Sequence, residues 1–243
     1  MLMRSFLRIF KILVFLVACN CAYSQDTITV VDGSLETNPL PFDPYFDYNF
    51  SQSIYPAASI GQDGVIEKIF FKYNGNSRWG EDVEIYLGHT SKSSFDNKTD
   101  WVDTYYEMVQ VYSGVLSVVE YEGWVEINLT QNFLYNGSDN LVLALNAIDG
   151  QNGNSNDNFY SAVANARSSI YKKQDNTQLN TFDFWPQSSQ QADATIDYLP
   201  NLKLVLSPPG PNSSISASSY SFVTCQGTAS PNETFRVTGS LLG

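Results

Sequence analysis

Hydrophobic and polar residues alternate along most of this 243-residue chain, in short runs separated by turn residues. In VEIYL (83–87) the aliphatic first, third and fifth residues fall on one face of an extended segment. A period of two residues is typical of a β-strand with one buried face. LVLALNA (141–147) is apolar almost throughout, which predicts a central strand that is covered on both faces.

The pattern as a whole predicts about ten short strands and no long amphipathic helix. Strands of this length, spaced by turn residues, are typical of a β-sandwich, and their number is near that of a jelly roll. One helical turn is expected in SKSSFDNKTDW (91–101), where Ser and Asp are available as caps. We therefore predict an all-β chain with an antiparallel, jelly-roll-like β-sandwich at residues 26–206. The predicted strands are 27–31, 65–73, 83–87, 108–114, 115–121, 124–129, 141–147, 159–164, 168–173 and 201–206.

The segment SPPGPNSS (207–214) interrupts the alternation with three prolines. Proline removes a backbone donor and is confined to sheet edges, so this segment predicts a stiff linker and a domain boundary. Alternation begins again in residues 215–243. About 30 residues are too few to close a sandwich, so we expect a truncated second β domain and a longer parent protein.

The N-terminus has the pattern of an export signal over residues 1–24: basic residues, an apolar stretch and then small residues. Two cleavage sites compete. AYS before Gln25 would release a soluble protein, which we favour, whereas LVAC resembles a bacterial lipobox and would make Cys19 a lipid anchor. No apolar run approaches the roughly 20 residues of a spanning helix. We therefore predict a secreted or cell-surface (outer-membrane-associated) protein without a transmembrane segment.

The charge and the cysteine count narrow the function classes. The formal net charge is −12, from 13 basic and 25 acidic residues. A chain this acidic repels phosphate groups, and the sequence shows no basic patch, so we predict no nucleic-acid partner. Beyond the export signal the only cysteine is Cys225, which excludes an internal disulfide and a Cys/His zinc cluster.

Catalytic constellations are weak in this sequence. His89, the single histidine, follows the strand 83–87 and has no recognisable nucleophile and orienting group beside it. We predict a hydrogen-bonded, structural histidine at a strand end. Paired carboxylates suffice for glycoside hydrolysis, and acids cluster in EDVE (81–84) and FDPYFD (42–47). Because no motif assigns roles to these acids, we do not expect an enzyme.

Aromatic residues near acids are the strongest candidates for a binding site. Trp79, in NSRWGED, is a candidate for an exposed platform, with Tyr45, Asp47 and Tyr48 of PFDPYFDYNF (41–50) as further candidates. Flat rings pack on sugar faces, and neighbouring carboxylates bind hydroxyl groups. The alternative is that these rings pack into the sandwich core, as aromatic residues usually do.

A polar segment, IDGQNGNSNDNF (148–159), suggests a cation site. Its oxygen-bearing side chains suit calcium, which takes six to eight such ligands, although the spacing differs from an EF-hand. The alternative is an ordinary polar loop between strands. No cofactor is expected apart from this candidate structural calcium. Its candidate ligands are Asp149, Asn152, Asn154 and Asp157.

Several segments together resemble a β-sandwich module that recurs in large secreted and surface proteins of Bacteroidota. The resemblance covers about residues 37–206 and is most specific at IYLGHTSKSSF (85–95) and FLYNGSDNLVLALN (133–146). The tail SFVTCQGTASPNETFRVTGSLLG (221–243) is similar to the opening strands of an Ig-like module. The resemblance implies a jelly-roll accessory domain of the adhesion or carbohydrate-binding kind, without a catalytic residue set.

The leading hypothesis is a non-catalytic extracellular module that binds a glycan or a protein outside the cell. One alternative is an accessory domain of a secreted hydrolase, a glycosidase, peptidase or nuclease, whose catalytic part lies outside this sequence. Another alternative is a structural spacer. A binding module requires exposed rings in a groove or on a face, whereas a glycosidase requires a cleft with two facing acids.

Overall fold

A computed structural model of the chain describes residues 25–36, 39–151 and 153–209, and the backbone of 212–215 and 237–240. The predicted export signal and Cys19 lie outside the described residues, as do Cys225 and most of the predicted second domain. Within the described part, no helix is long and apolar enough to cross a membrane.

A seven-stranded and a six-stranded antiparallel sheet pack face to face. This arrangement confirms the predicted all-β sandwich. In chain order the strands are β1 (Asp26–Val31), β2 (Leu35–Glu36), β3 (Tyr48–Tyr55), β4 (Gly64–Asn74), β5 (Trp79–Thr90), β6 (Val109–Val118), β7 (Glu122–Tyr135), β8 (Asn140–Ala147), β9 (Asn158–Val163), β10 (Ser169–Gln174), β11 (Ala194–Ile196), β12 (Tyr198–Pro200) and β13 (Leu202–Ser207).

The six-stranded sheet has the order β11-β10-β3-β8-β5-β6. The seven-stranded sheet has the order β1-β13-β4-β9-β12, with β7 paired to β4 and β2 paired to β9. Strand β8 lies at the centre of its sheet, where Ala147 is opposite Asn49 of β3 on one side and Val83 of β5 on the other. Its apolar sequence therefore reflects burial on both faces, as predicted.

Alternate residues of both sheets point between them and form the main core. Ile69 and Phe71 of β4 meet Ile85 of β5 and Leu143 and Leu145 of β8, and all five are at most 1% exposed. Full burial of such side chains contributes about 1.5–3 kcal/mol each. Apolar and polar residues therefore alternate in the sequence because every second side chain of a strand points into the core between the two sheets.

A second hydrophobic cluster covers the opposite side of the six-stranded sheet. Segments 91–108 and 177–193, together called the outer layer here, place Trp101 and Phe184 against Phe50 of β3. The ring centroids of Phe50 and Phe184 are 4.2 Å apart in a stacked arrangement. The sandwich therefore has a third layer, made of irregular chain, on one of its two outer faces.

Several details of the secondary structure differ from the predictions. The strands predicted at 108–114 and 115–121 are one continuous strand, β6. Strand β3 was not predicted, because its sequence YNFSQSIY mixes buried polar and apolar residues and lacks alternation. The helical turn predicted at 91–101 is wrong: in the part of the chain that the structure describes, the helices are α1 (Ala57–Ile60) and a 3-10 turn at Thr181–Asp183.

Beyond β13, Asn212–Ile215 (β14) and Val237–Ser240 (β15) pair as a two-stranded antiparallel sheet of their own. Asn212–Ser214 belong to the predicted linker, so the end of that segment is a strand. The Ig-like character predicted for residues 215–243 falls almost entirely outside the described residues.

The two ends of the sandwich differ in what they carry. Asp26 of β1 pairs with Leu206 of β13 beside the start of β4, so the chain enters and leaves the sandwich at the same end. The loops 39–47, 75–78 and 148–157 lie at the opposite end, called the loop end here. Apart from Asn152, which lies outside the described residues, the residues predicted to bind a ligand or calcium lie in or beside these three loops.

Candidate functional site

The half-buried indole of Trp79 lies at the edge of the main core. It meets Phe42 and Phe159 edge-on, with ring centroids 5.8 and 6.4 Å away, and its Nε1 donates a hydrogen bond to Tyr73 Oη (3.0 Å). The flat aromatic surface is thus used to close the sandwich. Trp79 packs into the fold instead of standing free as the exposed platform expected from sequence.

The other predicted binding residues have separate surroundings. Tyr45 is 54% exposed, whereas Tyr48 packs against the second hydrophobic cluster. The carboxylate of Asp47 accepts a hydrogen bond from the backbone N–H of Asn176 (2.8 Å), which ties the start of β3 to the turn after β10. Of these residues and Trp79, only Tyr45 offers a free ring.

Asp157, a predicted calcium ligand, organises a neighbouring loop. It is 1% exposed, and its carboxylate accepts hydrogen bonds from the N–H groups of Asn76 (2.9 Å) and Ser77 (3.2 Å) and from the Ser77 hydroxyl. A carboxylate bound by several donors at a turn stabilises that turn directly. Its oxygens are engaged in holding the connection from β4 to β5.

The remaining calcium candidates also bind backbone amides. Asp149 accepts from the N–H of Gln151 (2.8 Å), and Asn154 accepts from the N–H of Asn156 (3.1 Å). Asn152 lies outside the described residues. Among the residues that are described, no three His, Cys, Asp or Glu side chains gather into a metal-binding group. The calcium site stays a prediction from sequence.

Glu81 is an acid buried at the loop end. It points into the sandwich from β5, is 5% exposed, and its Oε1 has no hydrogen-bond partner among the described residues. Burial, reinforced by the negative charge of neighbouring Asp149 and Asp82, raises the pKa of Glu81 from 4.5 to about 9. The Glu81 carboxyl group is therefore protonated at neutral pH and able to donate to Asp149.

Glu81→Gln is expected to stabilise the protein at alkaline pH. Because the folded-state pKa lies above the ordinary value, the stability linked to protonated Glu81 is complete below pH 4.5 and decreases as the pH rises towards 9. Glutamine stays neutral, so at pH 8 the variant should exceed the parent in unfolding free energy by at least about 1 kcal/mol. Urea unfolding at pH 5 and pH 8 measures this, with Glu120→Gln, an exposed acid, as control. Parallel pH curves for parent and E81Q would contradict the assignment.

His89 has the hydrogen bond expected for a histidine at a strand end. Its Nε2 accepts from the backbone N–H of Asn136 (3.1 Å), and its ring stacks on Tyr135 with centroids 5.7 Å apart. Burial lowers the pKa of His89, partly opposed by the charge of Asp139. The neutral ring therefore acts as an acceptor that holds the turn between β7 and β8.

A cavity of about 260 Å³ opens between the outer face of the six-stranded sheet and the outer layer. Side chains of β5 and β8 form one wall and residues 178–182 form the other. It is smaller than the roughly 300–1,000 Å³ pockets that enclose drug-sized ligands, so it suits a single ring. The lining residues are Glu84, Tyr86, Asn146, Gln178, Leu179, Asn180, Thr181 and Phe182.

A hydrogen-bond network converges on Glu84 in this cavity. Its Oε2 accepts from Thr181 Oγ1 (3.0 Å), Tyr86 Oη (3.1 Å) and Asn146 Nδ2 (3.4 Å). Asn146 Nδ2 also donates to Thr181 Oγ1 (2.8 Å). Asn146 Oδ1 is buried and has no partner among the described residues. An unpaired buried acceptor costs about 1–3 kcal/mol, so Asn146 Oδ1 is a candidate acceptor for a ligand donor.

Three exposed rings lie beside the cavity and are called the aromatic rim here. Tyr105, Tyr106 and Phe182 are 62%, 83% and 53% exposed. The ring of Tyr105 meets Phe182 at 5.4 Å and Tyr106 at 4.7 Å, each contact nearly perpendicular. Because Phe182 also lines the cavity, the rim and the polar cavity form one continuous site.

Local hydrogen bonds hold these rings outward. Asp103 Oδ1 accepts from the N–H groups of Tyr105 (2.9 Å) and Tyr106 (3.0 Å) in an Asx turn. Asn180 Oδ1 accepts from the N–H of Phe182 (3.2 Å) and caps the 3-10 turn. Leu179 and Phe184, on either side, are buried in the second hydrophobic cluster. Anchors on both sides thus leave Phe182 at the surface.

The sequence predictions missed this site. A signal was present in DTYY (103–106) and NTFD (180–183), where a turn-forming Asp or Asn precedes aromatic residues. The contact between the two segments could not be predicted from the sequence, because they are distant along the chain and meet only over the six-stranded sheet.

No family model, no curated protein and no solved structure matches this chain.

Proposed function

We propose that this chain is a non-catalytic, extracellular binding module that contacts a glycan through the aromatic rim and the adjoining cavity. The observation that carries the proposal is the position of three exposed rings next to a polar cavity. Exposed aromatic rings in contact with one another are uncommon on a surface that only faces water, and such patches often mark binding sites.

Sugars are the ligand class that this combination suits best. A pyranose ring has an apolar face, which packs on an aromatic ring, and hydroxyl groups around its edge, which need hydrogen-bond partners. The rim supplies the rings, whereas Asn146 and Thr181 supply polar atoms in the adjoining cavity. Few polar groups in fixed positions beside apolar surface are the usual composition of a small-molecule site.

The carboxylates of the site support binding rather than hydrolysis. Glycoside hydrolysis requires two carboxyl groups on opposite sides of the scissile bond. Among the residues lining the cavity, Glu84 is the only acid, and its Oε2 is occupied by hydroxyl and amide donors. An accessory role beside a hydrolase is compatible with this site, because binding would keep an attached enzyme on its substrate. The extracellular assignment is supported by the export pattern of residues 1–24.

Truncation of the rim should weaken glycan binding. We expect Tyr105→Ala and Phe182→Ala each to reduce affinity for a bound glycan by about tenfold or more, because aromatic anchors carry much of the energy of a contact. Screening the chain on a glycan array, followed by calorimetry on the best hit, measures the effect. Tyr45→Ala, an equally exposed ring at the loop end, should bind like the parent, and all variants should keep the parent melting temperature.

Two results would overturn the proposal. If Tyr45→Ala abolishes binding and the rim variants do not, the binding site lies at the loop end. If the parent binds no glycan on the array, the surface serves a protein contact or none, and the function is adhesion to protein or spacing.

A further inference from the structure

The charges around the cavity restrict which sugars it can accept. The eight lining residues include no Lys, Arg or His, and their single charge is that of Glu84. Asp183, directly after the lining segment, lies 3.4 Å from Asn180 Nδ2, and the whole chain carries a net charge of −12. A ligand carboxylate or sulfate would enter this cavity against a like charge and without a cationic partner.

The two polar atoms that matter most for ligand choice in this cavity are both hydrogen-bond acceptors. Asn146 Oδ1 is an acceptor without a donor, and Glu84 is an acceptor that already collects hydroxyl donors. Of the two, Asn146 Oδ1 is the atom that needs an O–H or N–H group from a ligand. A carboxylate or sulfate provides acceptors only, so it would leave Asn146 Oδ1 unpaired and add repulsion.

We propose that the cavity binds a neutral sugar ring through its hydroxyl donors and excludes uronates, sialic acids and sulfated sugars, an inference that rests on the binding function proposed above. In this arrangement the ring packs against Phe182 and Tyr105 of the rim. One hydroxyl donates to Asn146 Oδ1, and Glu84 acts as the residue that rejects anions. Specificity thus comes from a repulsive group as much as from attractive contacts.

Matched pairs of glycans test this inference. The probes are oligosaccharides ending in glucose, galactose or mannose, each paired with the same oligosaccharide ending in the corresponding hexuronate. We expect the parent protein to bind the neutral member of any recognised pair at least about tenfold more tightly, since like-charge contacts strongly oppose binding. This comparison requires no variant and therefore stands even if a substitution disturbs folding.

Glu84→Gln then identifies the excluding group. Glutamine retains an oxygen that can accept from Thr181 and Tyr86 but has no charge, so the ratio of uronate affinity to neutral affinity should rise in the variant. Affinity for the uronate partner should rise at least about tenfold. Glu120→Gln, which removes an exposed acid from the turn between β6 and β7, should leave the ratio unchanged.

The outcomes separate this inference from the proposed function. Equal binding of both members, or a preference for the uronate, overturns the exclusion of anions while rim-dependent binding still supports a glycan-binding module. Loss of neutral binding in E84Q without a gain for uronates also overturns it, because the Glu84 carboxylate would then hold a hydroxyl group of the neutral sugar instead of excluding anions. If the parent protein binds none of the probes, both the exclusion of anions and the proposed glycan-binding function are overturned.

Discussion

Replacing Trp101 with alanine is expected to lower the free energy of unfolding by about 3–5 kcal/mol, the range for a large aromatic removed from a core. The Trp101 side chain is fully buried and packs on Phe50 (5.4 Å) and Phe184 (4.8 Å). Its Nε1 also donates to the backbone oxygen of Gln190 (2.8 Å). One side chain therefore joins both segments of the outer layer to β3. Urea unfolding followed by circular dichroism measures the loss.

Trp185→Ala is the matched control for this substitution. Trp185 lies in the same layer but is 46% exposed, so its removal should change stability by less than about 1 kcal/mol. Trp101→Ala should also abolish the proposed glycan binding, because the cavity wall at 178–182 is held by the cluster that contains Trp101. A destabilisation below 1 kcal/mol would mean that the outer layer is not supported by this residue.

Gln52→Leu should destabilise the protein by about 2–4 kcal/mol although leucine is more apolar. Gln52, fully buried on β3, pairs with the backbone of Val102: Nε2 donates to its oxygen and Oε1 accepts from its N–H, both at 2.8 Å. The Gln52 side-chain amide thus makes the two hydrogen bonds with Val102 that the backbone of a neighbouring strand would otherwise make. Leucine would leave two buried backbone groups unpaired, each at a cost of about 1–3 kcal/mol.

Gln131→Leu serves as the control, since Gln131 is exposed on β7 and should tolerate the same change within about 0.5 kcal/mol. Hydrogen exchange gives a second readout: in Q52L the Val102 amide should lose protection while the amides of β8 keep theirs. Unchanged protection of Val102 would show that the Gln52 amide does not carry the outer layer.

The outer layer is therefore the link between the fold and the proposed function. Gln52 and Trp101 fix 91–108 and 177–193 on the six-stranded sheet, and the turns of these segments present the aromatic rim. The chain enters and leaves at the end of the sandwich where Asp26 pairs with Leu206. The aromatic rim lies on a face of the sandwich, and its residues are distant along the chain from the points where the chain enters and leaves.

Local sequence was enough to predict most of the sandwich. Alternation identified β5, and the continuous apolar run 141–147 identified β8 as a central strand with two covered faces. These predictions succeed because the order of apolar residues along a strand directly reflects whether one face or both faces are buried. The hydrogen bond of His89 at a strand end was expected on the same local grounds.

The predictions failed where a residue's environment depends on distant chain. β3 was missed because its polar residues are buried by partners far away, such as Gln52 by Val102. Trp79 was expected at the surface because it lies in a turn sequence, yet Phe42 and Phe159 enclose its ring edges. Neither environment can be read from neighbours in sequence, because the partners lie tens of residues away.

The sequence by itself determined the all-β class, most strand positions and the acidic charge, since these follow from composition and from periodicity along the chain. Only the tertiary structure decided that a third layer covers one sheet and that Glu84, Asn146 and Phe182 form one site. The physical reason is that apolar burial is non-directional: it requires that the outer face of the six-stranded sheet be covered, but long-range packing selects which segments cover it.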